Sequence, residues 1–252
     1  MRRFLMAMLA LLAAAVALAG VSVGATSADA TTANRTVTFV NRTGQPIWIG
    51  SGVNNDGSKN LTGLPRLNDS QRATITVPES GNPGHWRGRF FARQGCTGKS
   101  GSTFHCVVGD CGKLADRCTT GAQPTSLAEF NFDRHNKTAP WYNVSYVDAV
   151  SFSITIEPTG AKRPPGSNQC ETQGCSDRLL QYCPPANLTK RGGKAILCTN
   201  PNRDAKTSYS NAISSHCPRA YAWSKQDTEP GNKTMRNCPS CRGFVVTFHR
   251  GI

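Results

Sequence analysis

The chain has 252 residues and carries 29 Lys and Arg against 15 Asp and Glu, a formal net charge of +14 at pH 7. Hydrophobic residues make up 38 % of the chain and charged residues 17 %, which is the opposite of the balance that keeps a chain disordered. The chain lacks the Ala, Glu, Lys and Leu repeats of a coiled coil. After residue 30, no hydrophobic run approaches the roughly 20 residues that span a bilayer.

The first thirty residues have the pattern of a secretory signal peptide. Arg2 and Arg3 precede an Ala- and Leu-rich segment from about residue 4 to residue 21, and Ala28-Asp29-Ala30 supplies the small residues of a cleavage site. We therefore predict cleavage after Ala30 and secretion into the extracellular space, an oxidising compartment where disulfide bonds persist. The alternative is an N-terminal membrane anchor, but no charged stop-transfer flank follows this segment.

Short alternating segments separated by turn-forming residues predict an all-β fold. Many short strands with turns between them are typical of an antiparallel sandwich. The predicted strands cover residues 36–40, 46–50, 73–77, 88–92, 126–132, 142–147, 150–156 and 243–249.

Between Cys170 and Cys241 the pattern becomes rich in loops. Pro184-Pro185 and Gly192-Gly193 interrupt the segment, and one short helix is predicted near residues 176–182. A segment of this kind buries little hydrophobic area and needs covalent cross-links. The predicted organisation is a signal peptide over 1–30, a β-sandwich domain over 31–169 plus 242–252, and a disulfide-rich satellite domain over 170–241.

Several motifs in chain order carry a resemblance to a known family. They are Gly95-Cys96, Cys106-Val107-Val108-Gly109-Asp110-Cys111-Gly112 with Cys118, Thr125-Ser126-Leu127-Ala128-Glu129-Phe130, Trp141-Tyr142-Asn143-Val144-Ser145-Tyr146-Val147-Asp148, and Cys217-Pro218-Arg219-Ala220-Tyr221-Ala222-Trp223. These segments are similar to the signature of the thaumatin family, and residues 244–248 resemble that family's closing strand. The resemblance implies a thaumatin-like antiparallel β-sandwich with a small disulfide-rich satellite of loops and helix, and a cleft between the two.

The resemblance also implies five disulfide bonds among the 11 cysteines. The implied pairs are Cys96–Cys106, Cys111–Cys118, Cys170–Cys238, Cys175–Cys217 and Cys183–Cys198. Three of the family's bonds are absent. One of these joins the first strand to the last in the family, and here Thr43 and His249 stand at its two positions.

One cysteine is left over in the segment Cys238-Pro239-Ser240-Cys241, so the partner of Cys170 is either Cys238 or Cys241. We expect Cys241 to be a spare thiol or to form an intermolecular bond. A redox pair or half a zinc site is the other interpretation, but no second Cys pair and no His cluster has metal-ligand spacing. The sequence therefore predicts no metal and no cofactor.

Members of the thaumatin family carry an acidic cleft lined by one Arg, one Glu and three Asp. The matching positions in this chain are Arg89, Glu129, Asn143, Asp148 and Gln226, with Asp227 next to the last as a substitute. Two positions hold amides where the family has acids. The resemblance therefore implies a less negative cleft, which suits a neutral sugar.

The function that the resemblance implies is binding of β-1,3-glucan-type cell-wall polysaccharide, with an antifungal or defence role. One alternative is a weak endo-β-1,3-glucanase with Glu129 as the acid and Asp148 as the base or nucleophile, because glycoside hydrolysis needs one protonated and one ionised carboxyl group. Another is a structural exported protein without a ligand. In that case Glu129 forms a structural ion pair with Arg89, and Asp148 caps a turn.

Aromatic side chains are candidates for stacking on the apolar faces of sugar rings. Trp141 and Tyr142 are consecutive and so point to opposite faces of a strand, which predicts that one of them lies near the cleft. The candidates are Phe90, Phe91, Trp141, Tyr142, Tyr146, Tyr221 and Trp223.

The basic residues are scattered along the chain rather than clustered. No nucleic-acid-binding motif accompanies them, so we predict no nucleic-acid partner. A scattered basic surface attracts the protein to anionic membranes or cell walls over long range. We expect a monomer.

Overall fold

The computed structural model describes residues 34–252, most of which belong to short β-strands and the turns between them. The predicted signal peptide and its cleavage site lie outside the described residues. Within this range no helix is long and apolar enough to cross a membrane. The strands are β1 (Thr36–Arg42), β2 (Ile47–Val53), β3 (Arg66–Leu67), β4 (Arg72–Thr76), β5 (His85–Gln94), β6 (Leu127–Asp133), β7 (Trp141–Ser145), β8 (Ala149–Val150), β9 (Ser153–Thr159), β10 (Gln173–Gly174), β11 (Leu188–Arg191), β12 (Lys194–Thr199), β13 (Arg236–Asn237) and β14 (Gly243–His249).

Two sheets pack face to face. One has five strands in the order β10-β9-β14-β1-β4, and the other has six in the order β13-β7-β6-β5-β2-β3. Aromatic rings from the two sheets meet in the core: Phe39 lies 5.0 Å from Phe90, and Phe244 lies 5.1 Å from Phe130, between ring centroids. All four rings are buried, because strand alternation directs every second side chain inward. The predicted all-β sandwich is confirmed.

The first and last strands are joined without a disulfide bond. They pair in parallel over seven residue pairs, with Arg42 opposite His249. This parallel pair is an exception in an otherwise antiparallel sandwich. The strand ladder therefore connects the two strands where the family's missing bond would lie.

The predicted strand over residues 150–156 is two strands, β8 and β9, separated by two residues. The hydroxyl of Ser126 accepts hydrogen bonds from the N–H groups of Ser151 and Phe152, at 2.8 and 3.2 Å. Both amides are thereby drawn away from a strand ladder, which is why the strand is interrupted there.

A short helical segment forms within the predicted range of residues 176–182, as a 3-10 helix at Leu179–Tyr182. An α-helix that the sequence analysis missed, α1, spans Ser208–His216. Thr207 caps it in a reciprocal pair of hydrogen bonds with Ser210. The short 3-10 helices Pro185–Asn187 and Gln226–Thr228 complete this region.

Disulfide bonds link the loops at the pairs that the family resemblance implies. The backbone N–H of Cys170 donates to the carbonyl of Asn237 at 2.9 Å, which places Cys170 beside Cys238, its disulfide partner. Cys241 is buried and has no disulfide partner among the described residues. Its burial leaves no exposed thiol for an intermolecular bond.

A third sheet connects the loop-rich segment to the sandwich. Its strand order is β11-β12-β8, and Cys198 on β12 is opposite Val150 on β8. The described residues form one compact unit. The division into a sandwich domain and a satellite domain stays a prediction.

Candidate functional site

Three of the predicted site residues lie side by side on the outer face of the six-stranded sheet. Arg89 on β5 is directly opposite Glu129 on β6, and Glu129 is opposite Asn143 on β7. Ala128 and Phe130 on either side of Glu129 are buried in the core, so alternation turns Glu129 outward. The Nδ2 atom of Asn143 donates to Oε2 of Glu129 at 2.8 Å.

A second polar row continues this face. Arg87 on β5, Asn131 on β6 and Trp141 on β7 are opposite one another in the same register. The Nε atom of Arg87 donates to Oδ1 of Asn131 at 3.0 Å, and its Nη2 lies 2.6 Å from Oδ2 of Asp133. The second row therefore holds its arginine in an ion pair.

The two rows border a cavity of about 470 Å³, which we call the first cavity. Four asparagine side chains and one indole ring line it together with Arg89 and Glu129. The polar and aromatic lining residues are Asn54, Arg89, Glu129, Phe130, Asn131, Asn136, Trp141 and Asn143, of which Phe130 is buried.

The pKa of Glu129 is higher than that of an exposed glutamate. Burial raises its pKa, because the charged form loses hydration. The carboxylate of Asp148 acts in the same direction, whereas the hydrogen bond from Asn143 and the positive charge of Arg89 oppose it. The net shift is upward, so Glu129 holds its proton to a higher pH than an exposed glutamate does.

Asp148 lines a second cavity, also of about 470 Å³, that shares Arg89 and Glu129 with the first. Its Oδ1 atom lies 3.6 Å from Nη1 of Arg203, which lines the same cavity. The charged lining of the two cavities thus consists of two acids and two arginines. Its formal charge is balanced rather than acidic.

The structure places Gln226 and Asp227 outside the linings of both cavities. Gln226 is buried, and its Oε1 atom accepts a hydrogen bond from the N–H of Ala222 at 2.7 Å. Asp227 is exposed and interacts with Tyr221. Burial raises the pKa of Tyr221 to about 12, and the carboxylates of Asp227 and Glu129 both add to that shift.

Trp141 is the aromatic candidate that lines the first cavity. Its Nε1 atom donates to Oγ1 of Thr138 at 3.1 Å, which orients the indole ring. The next residue, Tyr142, is buried and lies 4.8 Å from Phe244 between ring centroids. The two side chains point to opposite faces, as strand alternation predicts. The other candidates line neither cavity: Phe90, Phe91, Tyr146, Tyr221 and Trp223.

Several lining residues escaped the sequence analysis. Asn131 lies two residues after Glu129, so alternation alone was enough to place it on the same face. Asn54, Asn136 and Arg203 lie on loops, and only the folded chain brings them to the cavities. In the described part of the chain, no three His, Cys, Asp or Glu side chains cluster closely enough to hold a metal ion.

A family model described as the Thaumatin family matches residues 41–250. The chain belongs to the thaumatin family. A thaumatin-like protein of Arabidopsis thaliana is 29 % identical over 236 residues, covering 84 % of this chain and 89 % of that protein. A glucan endo-1,3-beta-glucosidase of Prunus avium is 26 % identical over 235 residues, with coverage of 84 % and 89 %. Among solved structures, a thaumatin-like xylanase inhibitor is 13 % identical with a TM-score of 0.44, covering 84 % of this chain and 97 % of that one.

Proposed function

We propose that this thaumatin family member is a secreted protein that binds β-1,3-glucan-type cell-wall polysaccharide, with an antifungal or defence role. The observation that carries the proposal is the lining of the first cavity, which combines amide side chains, one guanidinium and one indole ring. Amide and guanidinium groups offer paired donors and acceptors that match the neighbouring hydroxyls of a sugar ring. The face of an indole ring covers the apolar C–H face of the sugar.

The charge of the site supports a neutral ligand. The carboxyl groups of Glu129 and Asp148 are offset by Arg89 and Arg203, so neither an anion nor a cation is strongly favoured. A volume of about 470 Å³ lies in the range of small-molecule sites in proteins. One curated relative, from Prunus avium, carries the name glucan endo-1,3-beta-glucosidase, which adds family precedent for a β-1,3-glucan.

Glucan binding is tested by depletion of the purified protein from solution with insoluble β-1,3-glucan. Cellulose and chitin serve as controls, at about 0.3 M salt so that charge attraction is largely screened. We expect selective loss onto β-1,3-glucan. Equal loss onto all three polymers, or loss onto none, would mean that the protein is not a β-1,3-glucan binder and would favour the ligand-free structural role.

The variant Trp141→Ala tests whether the first cavity is the site. An aromatic contact contributes about 0.5–1.5 kcal/mol, so the affinity for glucan should fall by about two- to twelvefold. Trp48→Ala is a matched control, because Trp48 is also partly buried on the six-stranded sheet, packs on Phe104 and Arg66, and lines neither cavity. If both variants lose affinity equally, the ligand lies elsewhere.

A second candidate function, weak endo-β-1,3-glucanase activity, is supported by the raised pKa of Glu129. A carboxyl group that keeps its proton can act as the general acid, and Asp148, held beside Arg203, is the candidate base or nucleophile. Glu129→Gln should abolish release of reducing sugar and spare glucan binding, since the amide oxygen still accepts from Asn143. Sugar release that persists in this variant would show that Glu129 is not the acid.

A further inference from the structure

Two other cavities lie next to each other between the β11–β12 hairpin and the sandwich. Their volumes are about 430 and about 380 Å³, and they share four lining residues. We name this surface the hairpin groove. It has no residue in common with the linings of the first and second cavities, and its central residues are Gln45, Gln94, Arg191, Lys194, Ile196 and Arg250.

The charged side chains of the hairpin groove are all cations. Arg191, Lys194 and Arg250 are exposed, and none of them forms an ion pair with another residue of the described range. Arg191 and Lys194 are directly opposite each other across the turn of the hairpin, an arrangement of like charges that destabilises a strand pair. A bound anion would relieve this repulsion. The arginines of the candidate glucan site differ, because acids lie beside them.

The floor of the groove is built from internal contacts rather than from mobile surface chains. Gln94 is 4 % exposed, its Oε1 accepts from Nε2 of Gln45 at 3.1 Å, and its Nε2 donates to the carbonyl of Ile196 at 3.3 Å. It thereby joins the sandwich to the hairpin. The disulfides Cys96–Cys106 and Cys183–Cys198 hold the two walls. A groove held in this way loses little entropy on binding.

We propose that the hairpin groove binds an acidic polysaccharide. Arg191 and Lys194 on one wall and Arg250 on the other contact carboxylate or sulfate groups spaced along the sugar chain. Cations scattered over a surface would bind such a polymer at no particular place. These three cations instead border one concave surface, whose floor contains the amides of Gln45 and Gln94. The inference is independent of the proposed glucan site, because the two surfaces share no residue.

The chemistry of the groove favours a polysaccharide over a membrane or a nucleic acid. The hairpin tip is Gly192-Gly193 between cations, with no aromatic or aliphatic side chain to enter a lipid layer. Phe152 is the aromatic residue of the lining, and it is buried, so no ring is available for stacking on bases.

The test is titration calorimetry of the purified protein with polygalacturonate, which carries carboxylates, and with dextran sulfate, against neutral dextran. The groove variant combines Arg191→Gln, Lys194→Gln and Arg250→Gln. The control variant combines Lys59→Gln, Arg72→Gln and Lys162→Gln, which removes three exposed cations outside the groove and changes the net charge equally. In a further titration, vesicles of an anionic phospholipid replace the polysaccharide.

We expect the groove variant to lose about tenfold or more in affinity for an acidic polysaccharide, about 1.4 kcal/mol. The control variant should lose less than about threefold, and both should unfold at nearly the same temperature as the parent protein. Comparison of the affinities for polygalacturonate and for dextran sulfate then shows whether the groove prefers carboxylate or sulfate groups. If the two variants lose affinity for the acidic polysaccharide equally, net charge alone explains the binding, and the proposal is overturned. Binding of neither acidic polymer, or groove-dependent binding of the vesicles alone, would also overturn it.

Discussion

Replacement of Asn143 by Asp places a second carboxyl group beside Glu129. In the protein, Nδ2 of Asn143 donates to Oε2 of Glu129 at 2.8 Å, and Asn143 is only 7 % exposed. Asn143→Asp exchanges this donor for an oxygen at the same distance. Two carboxylates so close cannot both ionise cheaply, so the pair should share one proton.

The expected loss of stability follows from the short distance between the two carboxyl groups. Two unit charges about 4 Å apart repel by about 4 kcal/mol at the effective dielectric of a protein surface, and Arg89 opposite Glu129 reduces this. We therefore expect Asn143→Asp to lose about 2–3 kcal/mol of unfolding free energy at neutral pH. For a domain of this size that loss corresponds to a fall in Tm of roughly 4–12 °C.

The sign of the pH dependence is fixed by the direction of the pKa change. In the folded variant the pair keeps a proton that the unfolded chain releases near its ordinary carboxyl pKa of about 4. The penalty is therefore absent well below about pH 4, grows between that pH and the folded pKa of the pair, and is complete above it. Thermal unfolding followed by circular dichroism at several pH values measures it.

Asn131→Asp is the matched control, because Asn131 lies on the neighbouring strand β6, on the same face of the sheet as Asn143, but its side chain accepts from Arg87. Its new carboxylate gains a favourable partner, so its stability should change by less than about 1 kcal/mol at neutral pH. An Asn143→Asp penalty that is the same at acid and neutral pH would refute the reasoning. The loss would then come from packing and not from charge.

Three further predictions concern single contacts. Because burial raises the pKa of Glu129, Glu129→Gln should raise Tm relative to the parent at neutral pH. This gain in Tm should vanish toward about pH 4, and a gain that is the same at every pH would contradict the prediction. Phe244→Ala should cost about 3–5 kcal/mol in urea unfolding, since the buried ring packs on Phe130 of the facing sheet, and a cost below about 1.5 kcal/mol would argue against this packing. Loss of the Cys183–Cys198 bond, which closes a loop of 15 residues, should cost about 3 kcal/mol, and an unchanged urea midpoint in the double Ala variant would count against its role in the hairpin.

Strand positions were predictable because their signal is local. Alternation of side chains between the two faces marks β1, β4 and β6 in the sequence, and the same alternation places Glu129 and Asn131 on one face. The strand interruption at Ser151 was not predictable, because the hydroxyl that causes it belongs to Ser126, 25 residues earlier. Helix α1 was missed because its hydrophobic pattern is weak, although the Thr207–Ser210 cap is a local signal.

The family resemblance predicted part of the candidate site. Arg89, Glu129, Asn143 and Asp148 line the two cavities, whereas Gln226 is buried and hydrogen-bonded to the backbone. An amide at this position satisfies a backbone N–H, a role that a sequence motif does not distinguish from ligand binding.

The amino-acid sequence by itself determined the class of fold, the alternation that separates core from surface, and which residues carry ionisable groups. Only the tertiary structure decided the register that sets Arg89, Glu129 and Asn143 side by side, and the contact of Cys170 with Cys238 that leaves Cys241 buried and unpaired. The reason is the range of the forces involved. Alternation is a property of neighbouring residues, but register and disulfide partner depend on hydrogen bonds and packing between segments far apart in the chain.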